Sequence, residues 1–285
     1  MQTLLGWLRK HLFVAFLLHQ LFILLGAVSF LTTVRRLTGK TIHLGQDPIG
    51  FPDGIALVVL SVAVIFLTNW YYRLLKGPGA PSLGIEFSMH RLLELVGGFI
   101  VGAIFFAAPL LVSLWRGTAF VTDTIGSHFD TVSIVGILTA AFLMLFLQAA
   151  MEETANRAFP MRIWEQRSLV FRLLIPSLMF VILHLVSETF EPQRAATLLI
   201  AGIVQGLAYA LTGNIWFPTG LHFGANVTGF SMSGLWHAGA IVNVAGPPAA
   251  SVWAMGLLML VLLAAILVIK DRIRPKRTTL PSASA

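Results

Sequence analysis

The stretch Val132-Ser133-Ile134-Val135-Gly136-Ile137-Leu138-Thr139-Ala140-Ala141-Phe142-Leu143-Met144-Leu145-Phe146-Leu147-Gln148-Ala149-Ala150-Met151-Glu152-Glu153 runs from Val132 to Met151 without a charge, then sets two carboxylates side by side. A helix needs about 20 such residues to cross the hydrocarbon of a bilayer. This run, taken as 132–155, is joined by comparable ones near 12–34, 54–72, 94–115, 169–187, 195–212, 214–235 and 250–269, which makes about eight spans. The whole chain agrees: of 285 residues, 57% are hydrophobic and 11% charged, and the mean hydropathy is +0.85. A soluble domain carries about 25% charged residues, and a core of this size could not hide so much apolar surface. The reading is an all-α, polytopic helical membrane protein, about eight transmembrane helices with a polar intramembrane cavity. A soluble enzyme is excluded. The absence of cysteine excludes disulfides, thiolate metal sites and cysteine nucleophiles.

The formal charge of +7 is read as a membrane signal, with no nucleic acid expected, because basic residues beside apolar runs mark the cytoplasmic face. With eight spans both termini share a side. Fourteen of the 19 basic residues fall on that side, among them Arg9, Lys10, Arg157, Arg162 and Lys270, and five fall opposite: Arg35, Arg36, Lys40, Arg116 and Arg194. This asymmetry predicts cytoplasmic termini. The first run is longer than a signal-peptide core and is kept as a span. Residues 86–91 read as a short interfacial helix leading into the third span. Segments 40–53 and 77–83 read as loops, and the Ser/Thr/Pro/Ala-rich tail after Lys270 as disordered. No internal repeat is evident.

Ionisable residues at bilayer depth are costly and are functional hypotheses by default. After the charges in loops and at span ends are set aside, a few polar residues remain inside the apolar runs. Glu153 and Arg157 are four apart and share a helix face in the order that favours an ion pair. Glu152 is turned about 100° away, so the two carboxylates are expected to aim at different points, one held by a cation and the other freer to act. A plain Glu–Arg pair at a helix end is the alternative. Phe180-Val181-Ile182-Leu183-His184 puts a lone histidine in the fifth run, where packing is the commoner role. His222-Phe223-Gly224-Ala225-Asn226 puts two polar side chains on one face of the seventh. Gly224 and Ala225 there permit close approach of another backbone or a substrate, although interhelical hydrogen bonding would use the same pair. Three polar clusters on three apolar helices point to one shared cavity, because each alone would be uncompensated.

The ordered trio Glu152-Glu153-x-x-x-Arg157, Phe180-x-x-x-His184 and His222-x-x-x-Asn226 resembles the CAAX protease and bacteriocin-processing family of intramembrane endopeptidases, the CAAX prenyl protease 2-like proteins. The resemblance divides the chain into 1–84 with two N-terminal spans, a protease-like core at 85–235, and 236–285 with the last span and tail. It implies hydrolysis of a peptide bond in a membrane-associated protein or peptide, within the lipid bilayer. Glu152 would be the general base, with His184 orienting the water and His222 and Asn226 donating hydrogen bonds to the oxyanion. Glu153, Arg157 and Phe180 would stand behind them as supporting residues. Zinc remains open: Glu152, His184 and His222 would make a His/His/Glu set, yet His-Glu-x-x-His is absent, and a metal-free glutamate mechanism is preferred.

Other readings use the same residues. Ser231 and Ser233 with His237 suggest a serine protease. Buried Glu and His suggest a proton-coupled transporter, and the family fold without catalysis suggests an idle immunity or scaffold protein. One expectation is at odds with the span boundaries. Glu152 falls near the cytoplasmic end of its helix and His184 toward the opposite end, so the fourth helix must be longer or deeper than hydropathy indicates.

Overall fold

In the computed structural model of the chain, the described residues are 2–39, 51–185, 191–233 and 242–245, with 256, 259–261 and 263–265 of the last apolar run. Their helices are α1 (Gln2–Lys10), α2 (Leu12–Leu37), α3 (Phe51–Lys76), α4 (Met89–Trp115), α5 (Thr131–Glu153), α6 (Phe159–Ile163), α7 (Leu169–Leu185), α8 (Pro192–Thr212) and α9 (Trp216–Ser233). Five helical stretches are long and apolar enough to span a membrane: Leu12–Leu37, Pro52–Lys76, Met89–Trp115, Thr131–Ile163 and Pro192–Thr212. The protein is an all-α, multi-pass membrane protein. Of the other expected spans, α7 is apolar but only 17 residues long, and α9 carries polar residues and is largely enclosed. The run at 250–269 is helical where described but lies mostly outside the described residues, as do residues 40–50 and the tail.

The chain alternates between two faces. After α4, strand β1 (Phe120–Thr124) pairs antiparallel with β2 (Val242–Ala245), which follows α9, so those helix ends share a face. At the other face, residues 77–88 pass over the α8–α9 link. Ile215 N donates to Gly84 O (3.2 Å), Tyr209 Oη to Leu83 O (3.1 Å) and Trp216 Nε1 to Glu86 O (2.8 Å). Gly84 turns there at φ +76°, and a Cβ on it would collide with Asn214.

Helices α4 and α9 meet along a seam of glycines. A Cβ added at Gly98 would strike the carbonyl oxygen of Phe217, and one at Gly102 that of Leu221. From the other side, Gly220 and Gly224 would strike the carbonyls of Leu95 and Phe99. Small residues four apart on both helices bring the backbones into contact, the usual route to tight packing where no hydrophobic drive separates helix from lipid. The seam brackets His222 and fixes its depth. Helices α7 and α8 use the same device, with Gly202 against Ser177 and Gly206 against Leu173.

Two expectations near these elements are corrected. Residues 86–91 are not a separate interfacial helix. Glu86–Ser88 is not helical, the Ser88 hydroxyl caps the amide of Arg91, and α4 runs unbroken from Met89. The third span therefore starts five residues before 94. Likewise 51–53 is no loop, because α3 begins at Phe51 with Asp53 in its first turn.

The fourth span is longer than its apolar run and bent within. Helix α5 passes through a π-helical turn, Thr154–Ala158, into α6, for 33 continuous residues, Thr131–Ile163. At 1.5 Å per residue this is about 50 Å, well beyond an apolar core of about 30 Å. The cause of the π-turn is readable from Pro160. Proline has no N–H, so neither Asn156 four residues back nor Ala155 five back can pair with position 160. The amide of Phe159 bonds Thr154 O instead, five residues back. The stranded carbonyls are satisfied by side chains: Arg157 Nη1 donates to Asn156 O (3.0 Å) and Gln20 Nε2 to Ala155 O (3.2 Å). In lipid such external partners are what make an interior proline tolerable.

At the start of the same helix, Asp130 caps α5, accepting from the amide and hydroxyl of Ser133, both at 2.9 Å. These donors hold its carboxyl below the ordinary range. A depressed folded value means that the cap operates above the unfolded carboxylate's pKa and is lost as pH falls through the folded one. Asp130→Ala is therefore expected to speed amide exchange at residues 131–134 at neutral pH, while in strong acid parent and variant exchange alike.

Candidate active site

The extended fourth helix carries Glu152 and Glu153 past the middle of the bundle. They meet His222, which the glycine seam holds on α9. The two carboxylates do not aim at separate points, as their 100° offset on a regular helix implies. They flank one imidazole. Glu153 Oε1 accepts from His222 Nδ1 at 2.9 Å, and Glu152 Oε2 lies 3.7 Å from Nε2. An imidazole offers two nitrogens on two sides, so long carboxylate side chains reach both. Because a carboxylate only accepts, Nδ1 carries a proton in this arrangement, and Nε2 is the nitrogen that faces Glu152 and the cavity.

Arg157 lies four residues from Glu153, as the spacing predicts, but at 3.6 Å the pair is an ion contact rather than a hydrogen bond. Both side chains are enclosed, with Glu153 0% and Arg157 2% exposed. The guanidinium spends its hydrogen bonds elsewhere, on Asn156 O and on Gln205 Oε1 of α8 (2.8 Å). The ring of Phe180 covers it, 4.7 Å from centroid to Cζ. Phe180 also stands edge-on to His222, with centroids 6.4 Å apart. It is thus the apolar wall between the buried cation and the imidazole. Gln205 escaped the motif reading. Its signal was a lone amide in an apolar helix, with nothing to name its partner.

One turn beyond Phe180, His184 Nδ1 donates to Phe180 O at 2.8 Å. A carbonyl only accepts, so in the neutral ring Nε2 is the acceptor. Glu152, His184, His222 and Asn226 line one cavity of about 470 Å³, with Gln148, Gln205, Phe180 and several apolar side chains of α4 and α8. Gln148 Nε2 donates to Glu152 Oε1 at 3.1 Å, and Glu152 Oε2 is buried without a hydrogen-bond partner. The long fourth helix resolves the depth conflict between Glu152 and His184: both border the same space. Ser231 is not disposed as a nucleophile, since its hydroxyl is turned back to Val227 O at 2.7 Å, and His237 lies outside the described residues. The zinc set of Glu152, His184 and His222 is not drawn together as ligands. Among the described residues, no three His, Asp or Glu side chains are gathered closely enough to hold one ion.

A prediction follows from Gln205. Gln205→Leu removes the partner of a buried guanidinium N–H, and an orphaned donor of this kind costs about 1–3 kcal/mol. The expected result is a lower midpoint of thermal unfolding in detergent.

Residues 134–228, from within α5 to within α9, match the family described as type II CAAX prenyl endopeptidase Rce1-like. The matched segment is about a third of the chain and contains all seven motif residues. No curated protein matches the chain.

Proposed function

We propose that the chain is an intramembrane endopeptidase that hydrolyses a peptide bond in a membrane-associated protein or peptide, with Glu152 as general base. The observation that carries this reading is the convergence of Glu152, His184, His222 and Asn226 on one cavity, with Glu152 Oε2, which accepts no hydrogen bond, 3.7 Å from His222 Nε2. Water held by His184 Nε2 and Glu152 gives a proton to Glu152 as its oxygen adds to the scissile carbonyl. The carbonyl π-pair becomes an oxyanion, which Asn226 Nδ2 and doubly protonated His222, through Nε2–H, stabilise by hydrogen bonding. Collapse of the tetrahedral adduct breaks the C–N bond, and the proton on Glu152 passes to the departing amine. Glu153 fixes the His222 ring and balances its charge, as the carboxylate of a catalytic triad does, while Arg157 balances Glu153.

No metal is assigned a step. The proposal has turnover persisting in EDTA or phenanthroline, with no stoichiometric zinc by elemental analysis. Loss of activity on chelation that zinc restores would overturn it. The positive-inside asymmetry supports placement in the cell membrane with both termini cytoplasmic. The functional reading itself is tested with purified protein in liposomes and a single-span reporter peptide. Cleavage is expected, and an intact reporter in the presence of folded protein would overturn it.

A further inference from the structure

The π-turn that carries Arg157 and follows Glu153 receives a hydrogen bond from a residue far away in sequence. Gln20 lies on α2, outside the segment that matches the endopeptidase family, and is 2% exposed. Its Nε2 donates to Ala155 O at 3.2 Å, the carbonyl that Pro160 leaves without a main-chain donor five residues on. The second amide proton faces His19 Nδ1 at 3.4 Å, and His19 Nε2 in turn lies 3.0 Å from Thr68 Oγ1 of α3. With Nδ1 accepting, Nε2–H donates to the threonine, so the chain of bonds has a single consistent direction. Apolar packing follows the same line. The His19 ring rests on Phe159 (centroids 4.4 Å apart) and Tyr71 (5.7 Å), and Phe16 on Trp164 (4.9 Å). Two N-terminal spans thus grip the bent segment on the side away from the cavity.

We infer that Gln20 is a positioning residue of the active site: its amide completes the π-turn at Ala155 and so sets where Glu153 and Arg157, and through Glu153 the His222 ring, stand relative to Glu152. The catalytic half of this inference rests on the endopeptidase reading; the structural half does not. A buried carbonyl in lipid must find a donor. Without Gln20, the turn would shift by a residue toward a regular helix or open. Either change rotates Glu153 relative to His222 and so shifts the imidazole relative to Glu152, while removing no catalytic group.

The test uses the full chain in detergent or liposomes, comparing the parent with Gln20→Met, which keeps the length of the side chain and removes its donor. Hydrogen–deuterium exchange is expected to be at least tenfold faster at amides 154–159 and unchanged in α8. On the reporter peptide, kcat is expected to fall at least tenfold with KM within twofold. Unchanged exchange overturns the inference. Faster exchange with unchanged kcat also overturns it, because Gln20 would then be structural only. If Gln20→Met does not accumulate as folded protein, Gln20→Asn, one methylene too short to reach Ala155, is read by the same criteria. A parent without turnover overturns the endopeptidase reading, and the exchange comparison then still decides the brace.

Discussion

Glu152→Gln is expected to lower kcat for reporter cleavage by about 10³-fold, within the range of about 10²–10⁴ that a positioned general base contributes. KM and the unfolding midpoint should barely move. The substitution is nearly isosteric, and the new amide oxygen can still accept from Gln148 Nε2, which now lies 3.1 Å from Oε1. What is lost is the proton acceptor at Oε2, which faces His222 Nε2 at 3.7 Å. The neighbouring carboxylate provides the contrast. Glu153 is wholly enclosed between Arg157 and His222, so Glu153→Gln leaves a buried guanidinium without its countercharge. Breaking such a pair costs about 3–5 kcal/mol. That variant is therefore expected to lose stability and activity together, whereas Glu152→Gln loses activity alone. Paired steady-state kinetics and thermal unfolding distinguish the two; loss of stability in the Glu152 variant would contradict the assignment of roles.

The second large effect belongs to the glycine seam. Gly102→Leu is expected to destabilise the protein by more than about 3 kcal/mol, because overpacking here cannot be relieved by a rotamer change. The obstacle is the main-chain carbonyl of Leu221, and moving it moves His222, the next residue. Activity should disappear with the fold. Gly97 is the internal control, since a Cβ there meets nothing within 4 Å. Gly97→Leu is expected to unfold and cleave like the parent. Equal unfolding midpoints for the two leucine variants would contradict the packing account.

The membrane class and the motif residues were legible in the sequence because charge is scarce in this chain and each polar residue inside an apolar run stands out. Depth and pairing were less legible. The 3.6-residue period places Glu152 and Glu153 on different faces, and it does not reveal that one imidazole on another helix presents a nitrogen to each. The length of the fourth helix was hidden because the apolar run ends near residue 155 while the helix continues to Ile163. The consequence of Pro160, two carbonyls satisfied by Arg157 and by Gln20 from α2, needed the tertiary arrangement. The spacings Gly98-x-x-x-Gly102 and Gly220-x-x-x-Gly224 were both visible. That they face each other depends on α4 and α9 being neighbours, which chain order conceals.

Cleavage of a single-span peptide in liposomes made in H₂¹⁸O, followed by mass spectrometry, bears most directly on the central claim. The account predicts that the purified parent yields two fragments, with one ¹⁸O in the new carboxyl terminus, and that folded Glu152→Gln yields at most a trace under the same conditions. Intact peptide with the folded parent, or labelled product at parental rate from Glu152→Gln, would contradict it.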